Sequence, residues 1–317
     1  MLANDDLKDW LSVAFKSFQN LEAIQFVTES AEIRAPTTPK TRSSIGLETF
    51  VEPVAAPSAL HRSYIFSSLF KASHTSEARL KSVDCGWIPY QALSTVGNHH
   101  DILSRLRELK LGLTVDDRSG AEVQHCANFI SKALMLRTLH LDLPGSTASA
   151  QVPFLRDILQ HREHWPSLRD LRLGVIATDW TTLHDFLTTH AHTLRSLELS
   201  DIAIAAESAS LWKKASWITI IQFLQKSLQL QHVRLEGRLL APRDGWITHN
   251  DQHCQARAEL FVSDDEKREN CLRKRIHRYI LSGGECPLQS PDRVKPENQG
   301  DYSWRYTTLR QLGLGEQ

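Results

Sequence analysis

Neither sign of charge is in surplus: Lys plus Arg and Asp plus Glu are both 37, so the formal net charge is zero. A general nucleic-acid binder needs a cationic excess to neutralise phosphates, and an anionic membrane surface asks for the same. No nucleic-acid partner and no membrane partner is therefore expected. Cysteine is scarce and odd in number, five in all (Cys85, Cys126, Cys254, Cys271, Cys286), with no Cys-x-x-Cys spacing. That implies neither a closed disulfide framework nor a zinc knuckle. The chain has no Asn-x-Ser/Thr sequon and no apolar run after its acidic start, MLANDDLKDW. Its most apolar stretch, around Trp217 to Leu224, is far too short to cross a bilayer. Together these absences predict an intracellular protein, in cytoplasm or nucleus.

Catalytic signatures are missing too. No Gly-x-Ser-x-Gly, no Gly-x-x-x-x-Gly-Lys and no Gly-x-Gly-x-x-Gly occurs. Histidines are frequent, but their spacings are poor for metal. His161-Arg-Glu-His164 is one residue short of a helical zinc pair; His190 and His192, His99 and His100 beside Asp101, and His253 beside Cys254 fit no better. Solvated surface histidine is the simpler reading. Cys85, Cys126 and Cys271 fall at apolar positions and read as small core residues. No enzyme, no cofactor and no metal site is expected.

What the chain does have is a recurrence. Leu-x-x-Leu-x-Leu returns as Leu106-Leu109-Leu111, Leu136-Leu139-Leu141, Leu168-Leu171-Leu173, Leu194-Leu197-Leu199 and, with one Val, Leu230-Val233-Leu235. Looser copies stand at Leu21-Ile24-Phe26 and Leu80-Val83-Cys85. Helical apolar periods precede the strands. Examples are Cys126, Ala127, Ile130, Ala133 and Leu134; Phe154, Leu155, Ile158 and Leu159; Leu183, Phe186 and Leu187; and Trp217, Ile221, Leu224 and Leu228. Alternating helix and strand at a fixed period predicts an α/β leucine-rich-repeat solenoid, with parallel strands on the concave face and helices outside.

The solenoid is expected to be irregular. The steps run from 26 residues (168 to 194) to 36 (194 to 230), against roughly 20–29 in regular repeats. The usual Asn or Cys at the ninth position is replaced by Thr114, Pro144, Ile176, Ile202 and Arg238. The backbone after each strand must therefore find other hydrogen-bond partners. The expected organisation is a first visible repeat at 1–30, where Leu7, Leu11, Ala14, Phe15 and Phe18 form a helical face. A mobile Pro/Ser/Thr-rich insertion follows at 31–58, containing Thr38-Pro39. The repeat array spans 59–240, and a cap helix and tail fill 241–317. Gln255 to Val262 alternates loosely and is a candidate last strand. Ser263-Asp-Asp-Glu266 reads as a capping box opening the cap helix, which Gly283-Gly284 and Pro287 stop. Leu309-x-x-Leu312-x-Leu314 is one further match near the end.

The repeat strands LRELKLGL, LRTLHLDL, LRDLRLGV and LRSLELSD, the segment Gly86-Trp87-Ile88-Pro89, and the tail Tyr279 to Leu288 followed by Asp301-Tyr302-Ser303-Trp304-Arg305 resemble the repeat portion of fungal F-box/leucine-rich-repeat proteins. The resemblance spans most of residues 5–305. It implies a protein–protein recognition module, the substrate-binding half of a ubiquitin-ligase receptor. The F-box that recruits the ligase adaptor is not seen, so no adaptor-binding residue carries over. The chain as given is expected not to bind that adaptor. A stand-alone repeat scaffold without a ligase role is the alternative.

Side chains between the leucines point away from the core, because strand side chains alternate. The outward pairs are Glu108/Lys110, Thr138/His140, Asp170/Arg172, Ser196/Glu198 and His232/Arg234. The candidate partner contacts are thus Glu108, Lys110, His140, Asp170, Arg172, Glu198, His232 and Arg234. Two readings stand open: a mixed-charge groove for a protein or peptide, or a solvated face whose charges pair across strands. Arg273-Lys274-Arg275-Ile276-His277-Arg278, the one basic cluster, reads as a solvated helix face, with a localisation signal or acidic-partner patch as the other possibility.

Overall fold

The computed structural model describes residues 4–18, 21–26, 59–95, 100–114, 127–143, 148–159, 165–205, 217–241, 257–262 and 272–287. The insertion at 31–58 with Thr38-Pro39, the capping box 263–266, the match at 309–314 and the tail 301–305 lie outside these residues. So do Cys126, Cys254, Cys271, His99, His161, His164 and His253.

The elements alternate along the chain. They are α1 (Asn4–Ser17), β1 (Ala23–Phe26), α2 (Ala59–Thr75), β2 (Ser82–Pro89), α3 (Gln91–Thr95), α4 (His100–Leu103) and β3 (Glu108–Thr114). A helical stretch at 127–131 (α5) precedes β4 (Thr138–Asp142). Then come α6 (Ala148–Leu159), β5 (Asp170–Asp179), α7 (Trp180–Thr189), β6 (Ser196–Ala205), α8 (Trp217–Ser227), β7 (His232–Ala241), β8 (Arg257–Val262) and α9 (Leu272–Ser282). The fold is α/β with parallel strands, β8 excepted. The chain divides into two compact units: Met1–Thr114, Ser119–Leu141 and Glu163–Ser167 form one, and Val115–Arg118, Asp142–Arg162 and Leu168–Gln317 the other.

In the first unit β1 pairs in parallel with β2, and β2 with β3. Leu80, Val83, Cys85, Leu106, Leu109, Leu111, Leu136, Leu139 and Leu141 are all buried. Phe66 and Phe70 of α2 and Phe129 of α5 pack as an aromatic cluster, with the Phe66–Phe70 centroids 4.8 Å apart and Phe70–Phe129 5.7 Å. Each strand starts in the same way. The Glu22 carbonyl accepts the amides of Lys81 and Ser82, that of Lys81 accepts Arg107 and Glu108, and that of Arg107 accepts Arg137 and Thr138.

The second unit repeats this handover. The Arg169 carbonyl accepts Arg195 and Ser196, and the Arg195 carbonyl accepts Gln231 and His232. Strands β5, β6 and β7 are parallel, with Leu171↔Leu197↔Val233 and Leu173↔Leu199↔Leu235 in register. Each of these strands is 10 residues long and runs on past the leucine motif. Continuation past the motif requires a bend. Val175 and Asp201 occupy equivalent places, one residue beyond the Gly174↔Ser200 pair, and both are left-handed, with φ of 54° and 53°. The extra residue shifts the alternation, so Ile176, Ala177, Ile202 and Ala203 are buried after the bend. At Gly174 a Cβ would meet the Asp142 carboxylate, so a larger residue there would have to displace that side chain.

The partners that replace the missing asparagine ladder come from a helix. Gln151 of α6 is fully buried, and its amide donates to the carbonyls of Leu143 (2.8 Å) and Val175 (3.2 Å). Its side-chain oxygen accepts the Ala177 amide. One side chain thus satisfies the bent backbone of β5. At the end of β5, buried Asp179 caps α7: it accepts the Thr182 amide and the Thr182 hydroxyl, each at 2.6 Å, and faces Arg156 at 3.4 Å.

Several expectations are corrected. β8 is antiparallel to β7, pairing Gly237↔Val262 through Ala241↔Arg257, so the strands are not all parallel. Leu230 is only half-buried. Leu134 is 46% exposed and Phe18 45%, because both lie past the last helical turn that faces the core. The helix α9 forms as expected and ends at Gly283 and Gly284, with φ of 75° and 104°. It packs on α8 and β7. No helix of the described residues is long and apolar enough to cross a membrane.

Candidate recognition surface

The residues between the buried leucines stand on the opposite side of their strands, as period-2 alternation requires. Their row divides between the two units. In the first, Glu108 is exposed, while Lys110 and His140 are half-buried. Lys110 faces Asp84 at 3.8 Å, and the Ser82 hydroxyl donates to Glu108 at 3.1 Å. Burial raises the Asp84 carboxyl above its usual range; Lys110 and His140 oppose this, and Glu108 adds to it.

In the second unit Arg172, Glu198 and Arg234 are direct register neighbours. Arg172 lies 3.5 Å from Glu198 and 3.9 Å from Asp142. Arg234 lies 4.0 Å from Glu198 and 2.5 Å from Glu236, and Arg273 of α9 reaches Glu236 at 2.8 Å. Positive and negative groups therefore alternate across the face from Asp142 to Arg273. Asp170, Ser196 and His232 form the next row, with His232 exposed. All eight residues picked from the sequence are on strand faces. The face is mixed in charge, and Lys110, Arg172, Glu198 and Arg234 pair across its strands or along them.

Five participants escaped the sequence reading. Asp84 sits between the second and third apolar positions of a looser repeat, and that offset was a usable signal. Asp142 and Glu236 follow the third apolar residue, beyond the six-residue motif, and only the strand's continuation brings them onto the face. Arg273 and His277 belong to the basic cluster, whose reading as a solvated face is corrected at these two positions. Arg273 is buried against Glu236, and the His277 Nε2 accepts the Leu235 amide at 3.0 Å, whereas Arg275 and Arg278 are exposed. Burial, then Arg273 and His232, lower the His277 pKa to about 4. His190, weighed with His192 as a metal pair, is buried at the C-terminus of α7 against Phe186, their rings 4.5 Å apart. Its pKa is lowered to about 4, by burial first and then by His192. Cys85 is a buried free thiol whose pKa burial pushes up.

Among the described residues no group of three or more His, Cys, Asp or Glu is placed to hold a metal ion. No protein-family model matches the chain, and no curated protein or solved structure matches it.

Proposed function

We propose that this protein is a non-catalytic recognition module, an irregular leucine-rich-repeat solenoid that meets a protein partner with its strand faces. The observation that carries this is the row Arg172–Glu198–Arg234, side by side on three parallel strands, with the two arginine side chains 39% and 43% exposed. Side chains fixed on packed strands lose little ordering entropy when they meet a ligand. Ion pairs at such partly exposed positions are screened by solvent, so a partner's charge can replace an internal one at modest cost. With zero net charge there is little long-range field, and specificity comes from matched pairs. The resemblance to F-box repeat proteins gives the role its particular form: the intracellular substrate-binding half of a ubiquitin-ligase receptor.

The test is quantitative affinity capture from cells. Arg172→Gln with Arg234→Gln should deplete the captured partner about tenfold or more, a loss of at least about 1.4 kcal/mol. Lys71→Glu with Lys226→Glu, exposed on α2 and α8, should leave capture unchanged. If the helix pair abolished capture and the strand pair did not, the proposed face would be wrong. Capture of the same partner with no ligase adaptor in the complex would keep the recognition role and remove the ligase role.

A further inference from the structure

The two ends of the strand order are finished differently. At one end β7 is covered by β8 and by α9. At the other, β1 pairs with β2 and, among the described residues, with no other strand. Glu22 directs its carbonyl to Lys81 and Ser82 on the β2 side. Backbone groups of successive strand residues point to opposite edges, so Ala23 and Gln25 present their amides and carbonyls on the other edge. Both residues are exposed. An edge of this kind is a template for another strand.

A second observation lies on the neighbouring helix. Leu11 and Phe15 bury one face of α1, yet Trp10 is 48% exposed, Val13 66%, and Phe18, just past its end, 45%. Exposed Asp9 and Lys16 bracket Trp10 and Val13 of this apolar stripe along the helix, with Phe18 beyond Lys16. They are two turns apart, about 10.5 Å along the axis. Two such helices packed antiparallel bring Asp9 of each to Lys16 of the other, with the apolar residues between. The stripe is thus complementary to itself under a two-fold axis and not under translation.

We propose that this end of the first unit is a dimer face for a second copy of the chain. β1 pairs antiparallel with its two-fold equivalent, Ala23 opposite Gln25 of the second copy. The α1 stripe packs on its own equivalent. The dimer requires one two-fold axis, normal to the sheet and passing beside Ile24, which keeps the helices of both copies on the same side of the joined sheet. The result is an isologous contact in which every donor meets the acceptor that the same surface supplies. The proposal uses a strand edge and a helix flank, so it stands apart from the strand-face recognition proposed above.

Sedimentation equilibrium of the full chain across a concentration series tests it. A monomer–dimer equilibrium is expected. Gln25→Pro removes an outward amide and leaves the β2 side intact, and Val13→Glu puts a charge in the stripe; each should weaken the dimer about tenfold or more. Asp9→Lys and Lys16→Asp should each weaken it, and the two together should restore it to within about threefold, because the pairing is re-formed with its signs exchanged. Both positions are exposed, so thermal midpoints should hardly move. A chain that stays monomeric at every concentration overturns the proposal. So does a dimer indifferent to Gln25→Pro and Val13→Glu, or a double swap no better than its single variants.

Discussion

Removing the Gln151 amide would leave the carbonyls of Leu143 and Val175 and the amide of Ala177 without the partner each has now. A buried backbone group that loses its hydrogen bond costs about 1–3 kcal/mol. Gln151→Leu keeps the bulk and removes the bonds, so it should destabilise by about 3–5 kcal/mol. Urea unfolding checks this; a change below about 1 kcal/mol would mean that the bend finds other partners. The sequence hid this residue for a plain reason. A glutamine on an amphipathic helix has the composition of a surface position, and only the bent backbone opposite it reveals the need. The leucines were legible because each obeys a period that burial alone enforces. Leu230, half-buried, shows the limit of that rule: a matching position need not be a filled one.

At the scale of elements, α9 seals the part of the β7 edge that β8 does not reach. β8 pairs with Gly237 to Ala241, while His277 takes the amide of Leu235 and Arg273 holds Glu236. His277 can accept that amide only while its Nε2 is unprotonated, and Arg273, His232 and Arg234 all oppose a charge there. Both His277 and His190 have folded-state pKa values near 4, below the ordinary value of 6.5. The unfolded chain therefore binds more protons between those limits. Their contribution to stability is complete above pH 6.5 and is lost as pH falls toward 4, by up to about 3 kcal/mol for buried His190 and less for half-buried His277. His277→Gln retains an acceptor without a titrating ring and should flatten this part of the stability–pH curve. An unchanged slope would remove His277 from the account. The sequence placed the helix correctly, from Ile276, Tyr279 and Ile280 and the two glycines that stop it. It did not show which basic residues turn inward, since that depends on a carboxylate and a free amide contributed by a distant strand.

At the scale of the molecule, stability should propagate between neighbours. Leu171 is fully buried in β5 and pairs in register with Leu197 of β6. Leu171→Ala should cost about 2–5 kcal/mol. Amide exchange should quicken in β5 and β6 first and then in β7, because units joined only to their neighbours transmit damage in order. Uniform quickening in both compact units would argue against that stepwise coupling. The α/β alternation behind this prediction was readable from the leucine period. The division into two units was not, because the repeat motif continues across it without a break.

The antiparallel run of β8 bears on how such a chain could grow. Repeat proteins lengthen when a helix–strand unit is duplicated in the gene, and the new strand must find a parallel neighbour. A copy inserted before β7 would meet one; a copy added after β8 would meet a strand of opposite polarity. Among the described residues, β8 would thus give such growth a direction. Units duplicated next to a parallel neighbour are expected upstream of His232, with the Gly237–Ala241 pairing to β8 retained.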